Sequence, residues 1–254
     1  MRRAALVISF ASALLATAAV AATAIPPYVA RAVADKARAD DAGRDPRRHI
    51  AELVAFTGAK PGDKVADLLP GNGYFTKVFS KVVGPKGHVY AVWPREYLVE
   101  AQSDFAATQA MGKTKDFANV TALPQPAAAF STPEKLDVVF TSQNYHDYPD
   151  KFMGPVDPMV LNRAVYKALK PGGVFVIVDH RGKPGTGMTQ TETLHRIDPE
   201  IVKAQLKKAG FIYEGESLVL RNPNDPLTIK VFDESIRGHT DQFVLKFRKP
   251  RAKR

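Results

Sequence analysis

From about residue 45 onward the chain alternates between two hydrophobic rhythms. Short, unbroken apolar runs occur at Val65-Ala66-Asp67-Leu68-Leu69, His88–Trp93, Leu136–Thr141 and Val174–Asp179. Such runs predict strands covered on both faces, because a half-exposed strand would alternate apolar with polar positions. Between them the spacing predicts helices. One starts at Pro46 and turns Ile50, Leu53, Val54, Phe56 and Thr57 toward a core; others run from Tyr74 to Gly84, Glu96 to Ala110, Asp157 to Leu169 and Asp198 to Gly210. Asp45-Pro46 and Asp198-Pro199 read as N-caps with proline at the first helical position. The turns Lys60-Pro61-Gly62-Asp63, Pro70-Gly71-Asn72-Gly73, Gly84-Pro85 and Lys170-Pro171-Gly172-Gly173 punctuate the pattern. Asn119–Leu123 is a weaker strand, and Phe211–Leu220 and Gln242–Arg248 close the chain as two consecutive strands. Strands alternating with helices predict one α/β domain over residues 45–249. Its seven-stranded sheet is mostly parallel, with helices on both faces and an antiparallel C-terminal edge.

The first residues follow a different rule. Met1-Arg2-Arg3 is followed by an almost uncharged Ala/Leu/Val run that ends in small residues at Ala22-Thr23-Ala24. This is the layout of a secretory signal peptide over residues 1–24, and it implies an exported, periplasmic protein. An uncleaved N-terminal anchor is the alternative, since about twenty apolar residues span a bilayer. Residues 25–44 read as a polar linker. Across the 254 residues, 45% hydrophobic and 24% charged composition excludes whole-chain disorder. The absence of cysteine excludes disulfides, thiolate metal ligands and a cysteine nucleophile. The net charge of +10 gathers partly at Lys246, Arg248, Lys249, Arg251, Lys253 and Arg254, with residues 250–254 as a basic tail. No aromatic residues interleave a basic stripe, so nucleic acid is not a predicted partner. The end reads as a solvated extension able to touch an anionic envelope surface.

In an open parallel sheet, ligands bind beyond the carboxyl ends of the strands. The loops to examine therefore follow Leu69, Val92, Thr141 and Asp179. The first, Asp67 to Thr76, joins an acid late in a strand to a glycine pair and a helix start, which lets a ligand approach free backbone N–H groups. It lacks the Gly-Lys-Ser/Thr of a phosphate loop, and Thr76 stands where a dinucleotide fingerprint has its third glycine. The loop Ser142-Gln143-Asn144-Tyr145-His146-Asp147-Tyr148 is dense in hydrogen-bonding and titratable groups. His146 is the candidate base, Asp147 its orienter, and Tyr145 or Tyr148 a substrate wall. Asp179 reads as a residue that orients the loop. Together with His180, Glu192 and His195 it could form a mixed nitrogen and oxygen metal site, although no metal ligand is assigned from the sequence. Gly182–Gly187 reads as a mobile lid or a plain loop.

The order of these signals resembles class I S-adenosylmethionine-dependent methyltransferases over roughly residues 46–248. Val65–Thr76 resembles their first motif, Gly87–Val92 their second strand, Leu136–Phe140 their fourth, and Leu169–Phe175 the turn into the fifth. More narrowly, Asn144-Tyr145-His146-Asp147, Asp179-His180-Arg181 and Leu194-His195-Arg196-Ile197-Asp198 resemble a group of exported bacterial predicted methyltransferases. The resemblance implies a Rossmann-like methyltransferase domain that uses S-adenosylmethionine and a small-molecule acceptor. It implies that Asp67, Leu69, Gly71, Gly73, Trp93 and Asn144 contact the cofactor and that His146 and Asp147 serve catalysis. Two positions depart from the pattern. Leu69 replaces a glycine, and Trp93 replaces the acid that holds the ribose hydroxyls; tryptophan could stack on adenine but cannot accept those protons. These departures give a second expectation, a non-catalytic binding module for another envelope ligand. A third is a metal-assisted hydrolase using His146, His180 and His195.

Overall fold

The computed structural model describes residues 24–251. Residues 1–23, most of the stretch expected to be a signal peptide, and residues 252–254 of the basic tail lie outside that range. Among the described residues no helix is long and apolar enough to cross a membrane.

Seven strands form one sheet: β1 (Lys64–Leu68), β2 (His88–Pro94), β3 (Val120–Gln125), β4 (Leu136–Ser142), β5 (Leu169–His180), β6 (Ile212–Ser217) and β7 (Gln242–Arg248). Their order is β3-β2-β1-β4-β5-β7-β6. The first five run parallel, whereas β7 is antiparallel to both β5 and β6. This is the predicted architecture, antiparallel edge included. The winding reverses between β1 and β4, which opens a crevice at their carboxyl ends.

The helices are α1 (Pro27–Val33), α2 (Asp45–Arg48), α3 (Ile50–Thr57), α4 (Tyr74–Val83), α5 (Gln102–Met111), α6 (Pro158–Ala168), α7 (Thr191–Leu194) and α8 (Pro199–Lys208). Strand residues of one parity, such as Val65, Val138, Val174, Val176 and Val178, pack with Val29 of α1, Leu53 of α3 and Phe79 of α4. The other parity, including Ala66, Leu68, Val139, Phe175 and Ile177, packs with Leu161 and Val165 of α6 and Val202 and Leu206 of α8. Both faces being apolar is the reason the strands read as continuous runs.

Four local expectations are corrected. Residues 25–44 are not a linker. Val29 and Ala32 are buried in the core, Lys36–Arg44 form a 3-10 segment, and Asp41 pairs with Lys77 of α4 at 2.8 Å. Asp45 caps no helix; it accepts hydrogen bonds from Tyr74 Oη at 2.7 Å and from Arg38 at 3.0 Å. The helix expected from Glu96 starts only at Gln102, after a 3-10 turn at Arg95–Tyr97. Finally, Lys246, Arg248 and Lys249 are not a solvated tail. The first two lie in β7, Arg248 pairs with Glu214, and Lys249 Nζ donates to the carbonyls of Tyr166 and Leu169 at 2.8 Å.

Candidate active site

The loop after β1 turns sharply. Leu69 adopts the left-handed conformation (φ 52°), its N–H donating to Val92 O at 2.9 Å, and Gly71 and Gly73 follow at φ 55° and 83°. A left-handed leucine costs roughly 1–2 kcal/mol, so the surrounding packing enforces a backbone shape that glycine would take freely. At Gly71 a Cβ would meet only Asp104 Oδ2, at 4.0 Å. At Gly73, by contrast, a Cβ would lie 2.3 Å from Met111 Cε, so this glycine serves the packing of α5. Asp67 is buried and accepts a 2.7 Å bond from Thr76 Oγ1. Burial pushes its pKa up to about 7, against the opposing hydrogen bonds from Thr76.

A cavity of about 530 Å³ lies over the crevice, walled by residues from the loops after β1, β2, β4 and β5. That is enough for a nucleoside-sized ligand and a small second molecule. Asp67, Leu69, Gly71, Asn144, His146 and Asp147 all line it. Arg44 and Arg48 face in from the N-terminal side, stacked over the Tyr74 ring at 4.5 and 5.5 Å. Arg48 donates to Gln143 Oε1 at 3.0 Å, but its Nε and the nearby Ser142 Oγ, both buried, find no partner among the described residues. Asn144 Nδ2 donates to Leu69 O at 3.0 Å and Ser142 O at 2.7 Å, tying the β1 and β4 loops together.

Beside it stands a histidine and carboxylate cluster. Asp179, at the end of β5, accepts from the His146 N–H at 2.8 Å and lies 2.7 Å from His146 Nδ1. On the other side of the ring, His146 Nε2 lies 3.0 Å from Asp147 Oδ1 and 3.3 Å from His195 Nδ1. Asp179 is therefore the orienter of His146, and Asp147 stands on the opposite ring nitrogen. Burial disfavours the charged ring, but Asp179 and Asp147 outweigh it and raise the His146 pKa to about 10. Burial likewise opposes ionised Asp147, yet hydrogen bonds from His146 and His195 hold its pKa below the ordinary value. At neutral pH in the free protein His146 is thus an imidazolium with both N–H groups engaged, not a ready base. His180 stands apart, bonded to Thr240 Oγ1 at 2.7 Å, and burial, then His146 and Arg196, keep it neutral.

The fold matches that of known structures. A SAM-dependent methyltransferase from Aquifex aeolicus superposes with a TM-score of 0.59 at 20% identity, covering 84% of this chain and 96% of its own. A Bordetella parapertussis structure described as a possible exported protein gives 0.52 at 19% identity, covering 82% of this chain and 68% of its own. This is the class I methyltransferase fold. No protein-family profile matches the chain. Among curated proteins, the ubiquinone/menaquinone biosynthesis C-methyltransferase UbiE of Vibrio cholerae is 27% identical over 198 residues, covering 76% of this chain. The chain spans 64% of that relative's length.

Within the methyltransferase fold, the two departures have different consequences. Leu69 preserves the glycine-like backbone by enforced conformation. Trp93 turns away from the cavity: its indole N–H donates to Thr108 Oγ1 at 3.0 Å and the ring packs edge-on against Phe105 of α5. It therefore presents no stacking face to a ligand. Tyr145 and Tyr148 are core residues rather than walls, the Tyr145 hydroxyl being bound to Gln205 and Asn162. Glu192 pairs with Lys151 instead of the histidines. Gly182 and Gly185 donate to Ile197 O and Asp198 Oδ2, so the supposed lid is pinned. Sequence reasoning missed Tyr97, Glu100, Phe152 and Phe232, which complete the cavity wall. Glu100, the acid nearest the end of β2 on that wall, was hidden inside a stretch that reads as uniform helix.

Proposed function

We propose that the protein transfers a methyl group from S-adenosylmethionine to a small-molecule acceptor in the cell envelope. The observation that carries this reading is a set of cavity groups that want an amino-acid-like ligand. Arg48 Nε and Ser142 Oγ are buried without partners among the described residues, and line the same cavity as the buried carboxyl of Asp67. Leaving such groups unsatisfied costs about 1–3 kcal/mol each, and a bound carboxylate and ammonium would recover it. When bound, the cofactor supplies an electrophilic methyl on a sulfonium.

In this reading Arg48 holds the ligand carboxylate, Asp67 the ammonium, and the open backbone at Gly71 lets the ligand lie close. Glu100 takes over acceptance of the ribose hydroxyl protons from the family acid that Trp93 replaces. Methyl transfer is an in-line displacement, so most of the acceleration comes from proximity and orientation. The aromatic side chains of Tyr97, Phe152 and Phe232 suit a flat acceptor ring, and a quinone-type ring, as in the relatives' name, is the first to try. The Asp179, His146, Asp147 and His195 cluster is placed to hold the acceptor, and a protic acceptor can pass its proton to His146 only after that ring has given up its own. The leader-like segment supports the envelope location.

Calorimetric titration of the full-length protein with S-adenosylmethionine and S-adenosylhomocysteine tests this. Binding near the micromolar range, about −8 kcal/mol, that disappears in Asp67→Ala is the expected result. No heat at millimolar cofactor would overturn the reading.

A further inference from the structure

Three donor atoms converge at the inner end of the cavity: His146 Nε2, His195 Nδ1 and Asp147 Oδ1. Their separations are 3.0 Å between His146 and Asp147, 3.3 Å between the two histidines, and 3.5 Å between His195 and Asp147. Donors that each sit about 2.1 Å from a common ion, at tetrahedral or octahedral angles, stand about 3.0–3.5 Å from one another. The triangle already has the edges of one face of a metal coordination shell.

The surroundings fit the same purpose. Asp179 Oδ1, 2.7 Å from His146 Nδ1, holds the proton on that nitrogen, so that Nε2 becomes the ligand once the ion displaces its proton. A carboxylate behind a ligating imidazole is the usual second support of a metal histidine. His195 holds a left-handed backbone (φ 54°) at the end of α7, which places its ring nearly perpendicular to that of His146, 5.3 Å between centroids. Phe232 packs against its ring at 4.8 Å. Non-glycine residues in this conformation cost free energy and collect at functional sites. The side chains of Asp147 and His195 keep 14% and 17% exposure toward the cavity, so an ion can enter and its remaining positions face the ligand space. Asp147 and Asp179 together balance a divalent charge.

We infer that His146, Asp147 and His195 form a binding site for a divalent transition-metal ion of the zinc, cobalt or iron type. Two imidazoles with one carboxylate favour these over calcium or magnesium, which prefer all-oxygen shells. The role of the ion rests on the methyl-transfer reading: it would bind an oxygen of the acceptor and ease loss of its proton. The existence of the site does not depend on that role.

The test uses untagged full-length protein freed of metal with a chelator. It is titrated with Co²⁺, followed by visible absorption, and with Zn²⁺ in competition with a chromophoric chelator. One equivalent is expected to bind. His195→Ala and Asp147→Asn should each weaken Zn²⁺ binding by at least about tenfold, and Asp179→Asn by about 10–100-fold. His88→Ala, at the start of β2 and bonded to Thr121, should leave it unchanged. Thermal unfolding of each variant shows that it is folded. Failure to bind stoichiometrically, or equal affinity in the folded Asp147→Asn and His195→Ala variants, overturns the inference. Cofactor titration of the same samples separates the two readings. Metal binding without cofactor binding leaves the site standing and removes methyl transfer, while cofactor binding without metal binding removes only the site.

Discussion

Asp67 is where pH acts on both folding and ligand binding. Its pKa of about 7 lies above the ordinary 3.8, so its contribution to stability is present at acid pH and is lost as pH rises through 7. Three pKa units correspond to about 4 kcal/mol, of which about 2–3 kcal/mol falls between pH 5 and 8. Urea unfolding at these two pH values should show wild type losing that much relative to Asp67→Asn; parallel behaviour would mean that Asp67 does not titrate there. Affinity for S-adenosylmethionine should move the other way, rising as Asp67 ionises. Residues of this kind were legible because strand ends and glycine loops announce themselves. Asp67, Gly71, Asn144, His146 and Asp147, singled out from the strand-end loops and the family resemblance, all line the cavity. Trp93 was not legible, since its direction is set by Thr108, fifteen residues away on a helix whose register no local pattern reveals.

At the level of elements, the long connection between β6 and β7 holds no helix or strand, yet it is fastened to the core. Arg196 and Asp225, neither with any exposed side-chain surface, form a paired bond at 2.9 and 3.0 Å, and Arg196 Nε also donates to Ile229 O. Asp225 accepts in addition from the N–H groups of Asp241 and Leu227. Removing one member leaves a buried charge without its partner. Arg196→Ala should therefore cost about 3–5 kcal/mol in denaturant unfolding, and Arg196→Met with Asp225→Leu should recover much of the loss. The same clamp carries Phe232 to His195, so unfolding and site geometry should degrade together. None of this could be read in advance: the partners are 29 residues apart, in a segment without periodicity.

For the molecule as a whole, the alternation of strand and helix was enough to recover the sheet, because each face of the central strands is committed to one of two cores. The N-terminal segment shows the limit of that method, its polar composition concealing Val29 and Ala32 in the core and Asp41 against α4. Deleting residues 25–44 should remove about 3 kcal/mol of burial and lower the melting temperature by roughly 6–12 °C relative to a chain starting at Ile25. An unchanged melting temperature would show the segment to be dispensable. Asn144 has a different reach, since one amide ties the loop after β1 to the loop after β4, which in the proposed reaction would meet donor and acceptor. Occupancy of either pocket end then stiffens the other, so the two ligands assist each other, and linkage requires the same factor in both directions. Asn144→Ala should erase that mutual assistance, measured as acceptor affinity with and without S-adenosylhomocysteine. Under the proposed reaction, an enzyme wired this way would hold its second substrate firmly only once the first has arrived, and would release a lone acceptor unchanged.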